Sequence, residues 1–195
     1  ITRGVSGDIN GFTNILLNLG TVNTSGYDLG VGWVGPGMDI GRFGASWQST
    51  YVDDYEAVSK DTGLPEPNGI GVEVNDSSIP RFRSTLHLSW RSDAFEGGWT
   101  LRYISSLTES CGGGAGFPVC SNNAAGTNEL EAITYHDLRM QWRAPGASGL
   151  RIAGGINNVL DQDPPECLSC SLNGYDASLY DLPGQFGYIE ASIGF

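Results

Sequence analysis

Between Pro80 and Leu107 apolar and polar side chains alternate in two consecutive runs. In the first, Phe82, Ser84, Leu86, Leu88 and Trp90 alternate with Arg81, Arg83, Thr85, His87, Ser89 and Arg91; in the second, Trp99, Leu101, Tyr103 and Leu107 alternate with Thr100, Arg102, Ile104 and Ser106. Successive side chains of a strand point to opposite faces, so each run predicts a strand with one apolar and one polar face. The segment 92–98 between them is short enough to close an antiparallel hairpin.

The same period recurs along the chain. Residues 1–11 read as loop. A long strand is predicted from Phe12 to Val34, bent near Ser25-Gly26, and a second from Arg42 to Asp54 after the Gly35-Pro36-Gly37 turn. Beyond the central hairpin, strands are predicted over Glu129 to Arg143, Leu150 to Asn157 and Phe186 to Phe195. Long polar, glycine- or serine-rich stretches at 55–79, 108–128 and 159–184 read as loops, and 144–149 as a short turn. No segment keeps a helical period, and no apolar run reaches the ~20 residues of a membrane-crossing helix. The fold class is therefore all-β and antiparallel, with seven strands joined by connections that alternate strictly short and long.

Two architectures use such strands. A soluble sandwich, secreted or at the cell surface and binding a partner or a glycan, would bury the Leu86/Leu88 face against a second sheet. A transmembrane barrel would turn that face to lipid, the polar face to a lumen, and keep aromatic residues at the rims. Short turns alternating with long loops fit the barrel, whose periplasmic turns are short and extracellular loops long. With the C-terminus on the periplasmic side, Trp33, Trp90, Trp99 and Trp142 fall toward one rim as a girdle. Arg42, Arg81, Arg83, His87, Arg91, Arg102, Arg139, Arg143 and Arg151 all fall on the polar, lumen-directed phase, while acids concentrate between strands. An odd strand count leaves two open edges, which lipid does not tolerate, so this chain is expected to be part of a larger barrel.

Composition narrows the partners. The net charge of −12 argues against nucleic acid, whose phosphates need a basic surface. Four cysteines fall as two close pairs, Cys111/Cys120 and Cys167/Cys170, both in loops. Four cysteines allow three pairings; local disulfides are the simplest, and they imply an oxidising compartment. The Cys167-Leu168-Ser169-Cys170 spacing also matches redox and zinc motifs, but no helix is predicted behind it and no second close pair accompanies it. His87 and His136 are the only histidines, directed to the lumen and outward respectively, and no nucleophile lies near either in sequence. Gly112-Gly113-Gly114-Ala115-Gly116 lacks the strand-to-helix context and lysine of a phosphate loop. No catalytic residue, cofactor site or metal site is assigned, and the chain is not expected to be an enzyme. No signal peptide opens the sequence, and Ile1-Thr2-Arg3-Gly4 reads as the middle of a longer chain.

Three motifs then resemble one family. Residues Asn18 to Leu29 resemble a strand late in TonB-dependent outer-membrane receptors, and Gly155 to Pro165 (Gly-Ile-Asn-Asn-Val-Leu-Asp-Gln-Asp-Pro-Pro) resemble their penultimate-strand motif. Tyr180, Pro183-Gly184 and the terminal strand ending in Phe195 are similar to their C-terminus, where a terminal Phe is the signal read by the barrel-assembly machinery. The resemblance implies a barrel of about 22 strands of which residues 1–195 supply the last seven, with a plug domain and TonB box outside this chain. It also implies an outer membrane of a Gram-negative bacterium. The implied partners are the N-terminal barrel and plug, TonB through the plug, outer-membrane lipid, and a small scarce nutrient: siderophore, cobalamin, carbohydrate or peptide. The lumen arginines would then meet the plug or an anionic substrate.

Overall fold

The computed structural model describes residues 2–3, 6–11, 20–59, 63–64, 69–73, 78–109, 129–146, 149–170, 174–181 and 184–194. Its strands in chain order are β1 (Thr2–Arg3), β2 (Ile9–Gly11), β3 (Gly20–Val34), β4 (Arg42–Ser59), β5 (Phe82–Arg91), β6 (Phe95–Ile104), β7 (Leu107–Thr108), β8 (Glu129–Leu130), β9 (Ile133–Arg143), β10 (Arg151–Asn157) and β11 (Phe186–Ser192). Seven of them form one antiparallel sheet in the order β11-β10-β9-β6-β5-β4-β3. Every neighbour in that sheet is also the next long strand in sequence, which is the up-and-down order a barrel wall requires. No helix occurs among the described residues.

Several boundaries depart from the alternation pattern. Residues 1–11, expected as loop, contain the β1–β2 hairpin. Strand β4 runs past Asp54 to Ser59, because its partner β3 continues to pair through Gly20↔Ser59. The central turn is tighter than 92–98: Phe95 already belongs to β6, and Ser92 N–H donates to the Phe95 carbonyl. The strand expected over 129–143 is broken at 131–132, with β8 pairing to β7 and β9 joining the main sheet. Residues 12–19 of the strand expected from Phe12 to Val34, along with Cys111, Cys120, Pro183 and Phe195, lie outside the described residues.

The bend expected at Ser25-Gly26 is a register shift: Ser25 pairs with Asp54 but Gly26 with Val52, leaving Asp53 as the extra residue of a bulge. A Cβ built on Gly26 would lie 2.4 Å from the Tyr51 carbonyl oxygen, so the close backbone approach there admits only glycine.

Register fixes the two faces. On one, Trp33, Ala45, Leu88, Trp99, Leu138 and Ile156 form a continuous cross-strand row. The neighbouring row runs Phe43, Trp90, Gly97, Met140, Gly154 and Ile189. No second sheet covers this face among the described residues: Leu88 is 38% and Met140 51% exposed. The sandwich expectation, that the Leu86/Leu88 face is buried in a protein interior, is thereby set aside. The opposite face carries Arg42, Arg91, Glu96 and Gln141 in one row and Ser46, His87, Thr100 and Asp137 in another.

The buried core lies at one end of the sheet, away from the short turns. Ile104, Leu107, Leu130, Ile133 and Tyr135 pack with Cys167, Cys170 and Tyr180. Ile104, Ile133 and Tyr135 share the polar face's phase, so the 158–185 connection folds against the end of the inner wall.

Candidate functional site: the inner wall and its loop cap

The arginines expected on the polar face are sorted by the sheet into groups. Near the short turns, Arg42 lies directly across from Arg91, and Arg143 across from Arg151. Like charges at such spacing repel. Glu96 offsets this by accepting from Arg91 at 2.8 Å and Arg143 at 2.6 Å. Arg42, Arg91 and Arg143 line one depression of about 850 Å³ together with Asp39 and Asp93. Acids are expected mostly between strands; Glu96 instead stands in the row of Arg42 and Arg91, fixed by Arg91 and Arg143, and Asp137 on the same face is fixed by Arg102.

Further from those turns, Arg102 is held by Asp137 at 3.1 Å and Asp181 at 2.5 Å, and its guanidinium lies 5.0 Å from the centre of the Tyr135 ring. A planar fork between two carboxylates and over an aromatic face is a fixed arrangement rather than a solvated side chain. Arg83 and Arg102 line a cleft of about 570 Å³ with Asp28, Gln48, Thr50 and Thr85. Asp28 Oδ1 there accepts from the Thr50 hydroxyl at 2.6 Å. The cleft thus offers hydrogen-bond donors and acceptors and a cationic group, chemistry suited to a polar or anionic ligand. His87 lines a second, smaller cleft with Arg139, its Nδ1 lying 3.0 Å from the Thr100 hydroxyl. Arg81 lies just before β5, its carbonyl accepting from Val52 N–H.

Glycine shapes this wall as well. Tyr188 stands across from Gly155, and a Cβ on Gly155 would lie 2.6 Å from the Tyr188 hydroxyl oxygen, so the ring lies over the bare backbone. His87 covers Gly98 in the same way.

Above the inner wall the three long connections are joined. Asp176, from 158–185, accepts from Ser78 N–H and from the Ser78 hydroxyl in the β4–β5 connection. Ser169 N–H donates to Glu109 Oε1 at 2.9 Å, and the Ser169 hydroxyl lies 2.9 Å from Glu73 Oε2. Glu73, Glu109 and Asp176 are all buried, and every contact just named crosses between connections. Burial pushes the Asp176 carboxyl up, but the hydrogen bonds from Ser178 and Ser78 outweigh it and hold the group below its ordinary range. Burial, helped by the nearby Asp176 charge, pushes the Tyr180 phenol up to about 12.

Cys167 and Cys170 are joined in a disulfide that closes a turn of the 158–185 connection. Glu73 lies close to both sulfurs, but a disulfide offers no thiolate to a metal. The Asn158-Val159-Leu160-Asp161-Gln162 stretch explains its own composition. Asn158 and Asp161 both have left-handed backbones, which Asn and Asp tolerate better than other side chains. Asn158 binds the Gln162 main chain through both amide atoms, and its own N–H donates to Asp137.

On the apolar face, Trp33, Trp90 and Trp142 stand near the short turns, and the Trp90 indole donates to the Ile40 carbonyl in one of them. Trp99 shares its cross-strand row with Trp33, one row further in than Trp90; it lies across from Leu88, stacked on His136 and donating to its Nδ1. A second aromatic set, missed by the sequence reading, lies toward the opposite end: Tyr27, Tyr51 and Phe82 share one cross-strand row, and Tyr103 packs on Phe82. Trp90 to Phe82, Phe43 to Tyr51 and Phe95 to Tyr103 each span the same number of strand residues. At ~3.3 Å per residue that separation is about 26 Å along the strand, or roughly 20 Å once a barrel's strand tilt is included.

Residues 1–159 match the family model described as TonB dependent receptor-like, beta-barrel. No curated protein matches the chain. Among solved structures it is similar to the FrpB iron transporter from Neisseria meningitidis (F3-3 variant), with a TM-score of 0.56 and 16% sequence identity. The likeness covers 90% of this chain and 25% of that one, so the chain spans about a quarter of the solved relative. At this identity the likeness concerns the fold.

Proposed function

The chain belongs to the TonB-dependent receptor-like β-barrel family, and from that premise we propose that it is the C-terminal wall of an outer-membrane receptor importing a scarce nutrient. The observation that carries this reading is the division of one continuous sheet into a lipid-suited and a lumen-suited face. Rows of Leu, Ile, Val and aromatic residues occupy one side, with no covering layer among the described residues, and arginine, serine, threonine and histidine occupy the other. Strands β3 and β11 end the seven-stranded sheet, and in lipid their outer edges need partner strands. Those partners are the preceding strands of the receptor barrel.

In this reading the plug sits against the arginine-bearing wall, TonB acts through the plug, and the joined connections above Arg102 form part of the extracellular entrance. The C-terminal segment, with Phe195 as its last residue in the sequence, is what the assembly machinery reads. Because the solved relative is named as an iron transporter, a ferric siderophore heads the substrates to test, ahead of cobalamin, carbohydrate and peptide.

The test is uptake by cells carrying the complete receptor. Radiolabelled ferric siderophores, cobalamin and oligosaccharides are supplied to cells with and without TonB. Uptake of one of them that needs both the receptor and TonB supports the proposal. Partition of the complete protein into the aqueous fraction without detergent would sink it.

A further inference from the structure

On the apolar face, β9, β10 and β11 enclose a groove of about 920 Å³. Its walls are Leu138 and Met140 on one side and Ile189 on the other, and its floor runs through Gly154 and Gly187. The groove exists because two outward positions carry no side chain. Glycine weakens a strand and is normally kept where a backbone approach or a left-handed conformation demands it. Neither holds at Gly187. Its backbone is not left-handed, and a Cβ there would meet nothing nearer than the Gly155 carbonyl oxygen at 4.0 Å. What the missing side chain does is leave space.

We propose that this groove seats an acyl chain of a phospholipid from the periplasmic leaflet. Three observations select that occupant. The groove opens on the face that the transmembrane barrel turns to lipid, so it is continuous with the bilayer. Its outward-phase side chains are Leu138, Met140, Ile156 and Ile189, none of them charged, while Arg139 and Tyr188, which also line it, stand across from Gly155 on the inner-face phase. It also lies beside the turn-end row of Phe95, Trp142 and Ile152, which places its mouth at the rim nearest the short turns, where the leaflet is phospholipid. A straight hydrocarbon chain matches such a furrow, and each methylene it buries adds to retention.

The inference rests on the membrane-barrel reading, and its test separates the two. The complete receptor, purified in mild detergent, is offered palmitoyl-oleoyl phosphatidylethanolamine and followed by native mass spectrometry. Wild type is expected to retain one phospholipid through detergent exchange. Gly187→Leu fills the floor, and displacing about two methylenes predicts roughly tenfold weaker retention. Met140→Phe narrows the groove from β9 and serves if the terminal-strand variant assembles poorly. Val31→Leu, outward but on β3, is expected to behave as wild type. Equal retention by wild type and the groove variants overturns the proposal, as does a receptor that holds no phospholipid or pairs with a second copy through this face. None of those results touches the detergent requirement or the uptake on which the receptor reading depends.

Discussion

Removing the Asp176 carboxylate should release the loop cap from the wall. The side chain is buried and receives four hydrogen bonds: the Ser178 N–H at 2.8 Å and its hydroxyl on one oxygen, the Ser78 N–H at 3.3 Å and its hydroxyl on the other. The Ser78 pair joins two different connections, so it is that half which holds the cap together. A hydrogen bond to a charged acceptor contributes about 1.5–3 kcal/mol net, and the values do not add fully. Asp176→Ala is therefore expected to cost about 3–5 kcal/mol of local stability, and Asp176→Asn, which keeps one acceptor oxygen, about 1–2 kcal/mol. Local opening scales with that energy, so amide exchange around Ser78 and Ser178 should quicken by roughly 10²–10⁴-fold in the alanine variant.

The pH response carries the sign of the same interaction. The folded carboxyl lies below its ordinary value of 3.8, so its contribution is complete above that value and is lost as pH falls through the folded one. Protection in wild type should hold at neutral pH and decline below about pH 4, with Asp176→Asn flat across that window. Tyr180 acts oppositely: its phenol is raised from 10 to about 12, so its contribution is complete below pH 10 and fades above it. The assay is hydrogen exchange read by mass spectrometry on the complete receptor, corrected for intrinsic rates. If Asp176→Ala exchanges like wild type near Ser78, the carboxylate does not hold the cap and the reasoning fails.

Three further outcomes follow from the sheet. Gly26→Val should drive a side chain into the Tyr51 carbonyl and undo the β3–β4 bulge; unheated gel mobility, which reports the folded barrel, should be lost at a lower temperature than for wild type. Leu88→Arg puts a charge in the middle of the apolar rows and should cost about 2–4 kcal/mol of folding into bilayers, whereas Thr100→Arg on the inner wall should cost much less. Equal effects of the two would mean the faces are wrongly assigned. Arg102→Ala should free Asp181 and loosen residues 174–181 by about 1–3 kcal/mol, less the solvent screening of a partly exposed pair, with Arg102→Lys intermediate; protease cleavage within that segment measures it.

What was legible in the sequence was whatever a strand's two-residue period writes into it. Leu86, Leu88 and Trp90 on one phase, with Arg83, His87 and Arg91 on the other, needed no partner strand to be sorted, and the structure keeps that sorting. The Ser25-Gly26 bend was legible because glycine inside a strand marks a close backbone approach. The β1–β2 hairpin was not, because its strands are too short to show a period. Tyr27, Tyr51, Phe82 and Tyr103 could not be grouped until register put three of them in one row and set Tyr103 against Phe82.

The cap escaped for a different reason, which concerns how polar groups are buried. Glu73, Glu109 and Asp176 sit in segments whose composition reads as solvated loop, and an isolated carboxylate is costly to bury. Each is nonetheless buried, because its donors arrive from another connection: Ser169 for the two glutamates, Ser78 for the aspartate. Neither the acid nor its donor is informative alone, and the sequence separations of 60 to 98 residues hide the pairing. The hydrophobic half of the same cluster had left a trace. Leu107 and Leu130, read as strand residues on either side of the 108–128 loop, and Tyr180, inside the 159–184 loop, are large apolar residues and among its most buried members. Apolar residues that break the composition of a loop therefore mark where that loop docks. Acids marked in this way, close to such a residue, are the ones that neighbouring loops come to satisfy.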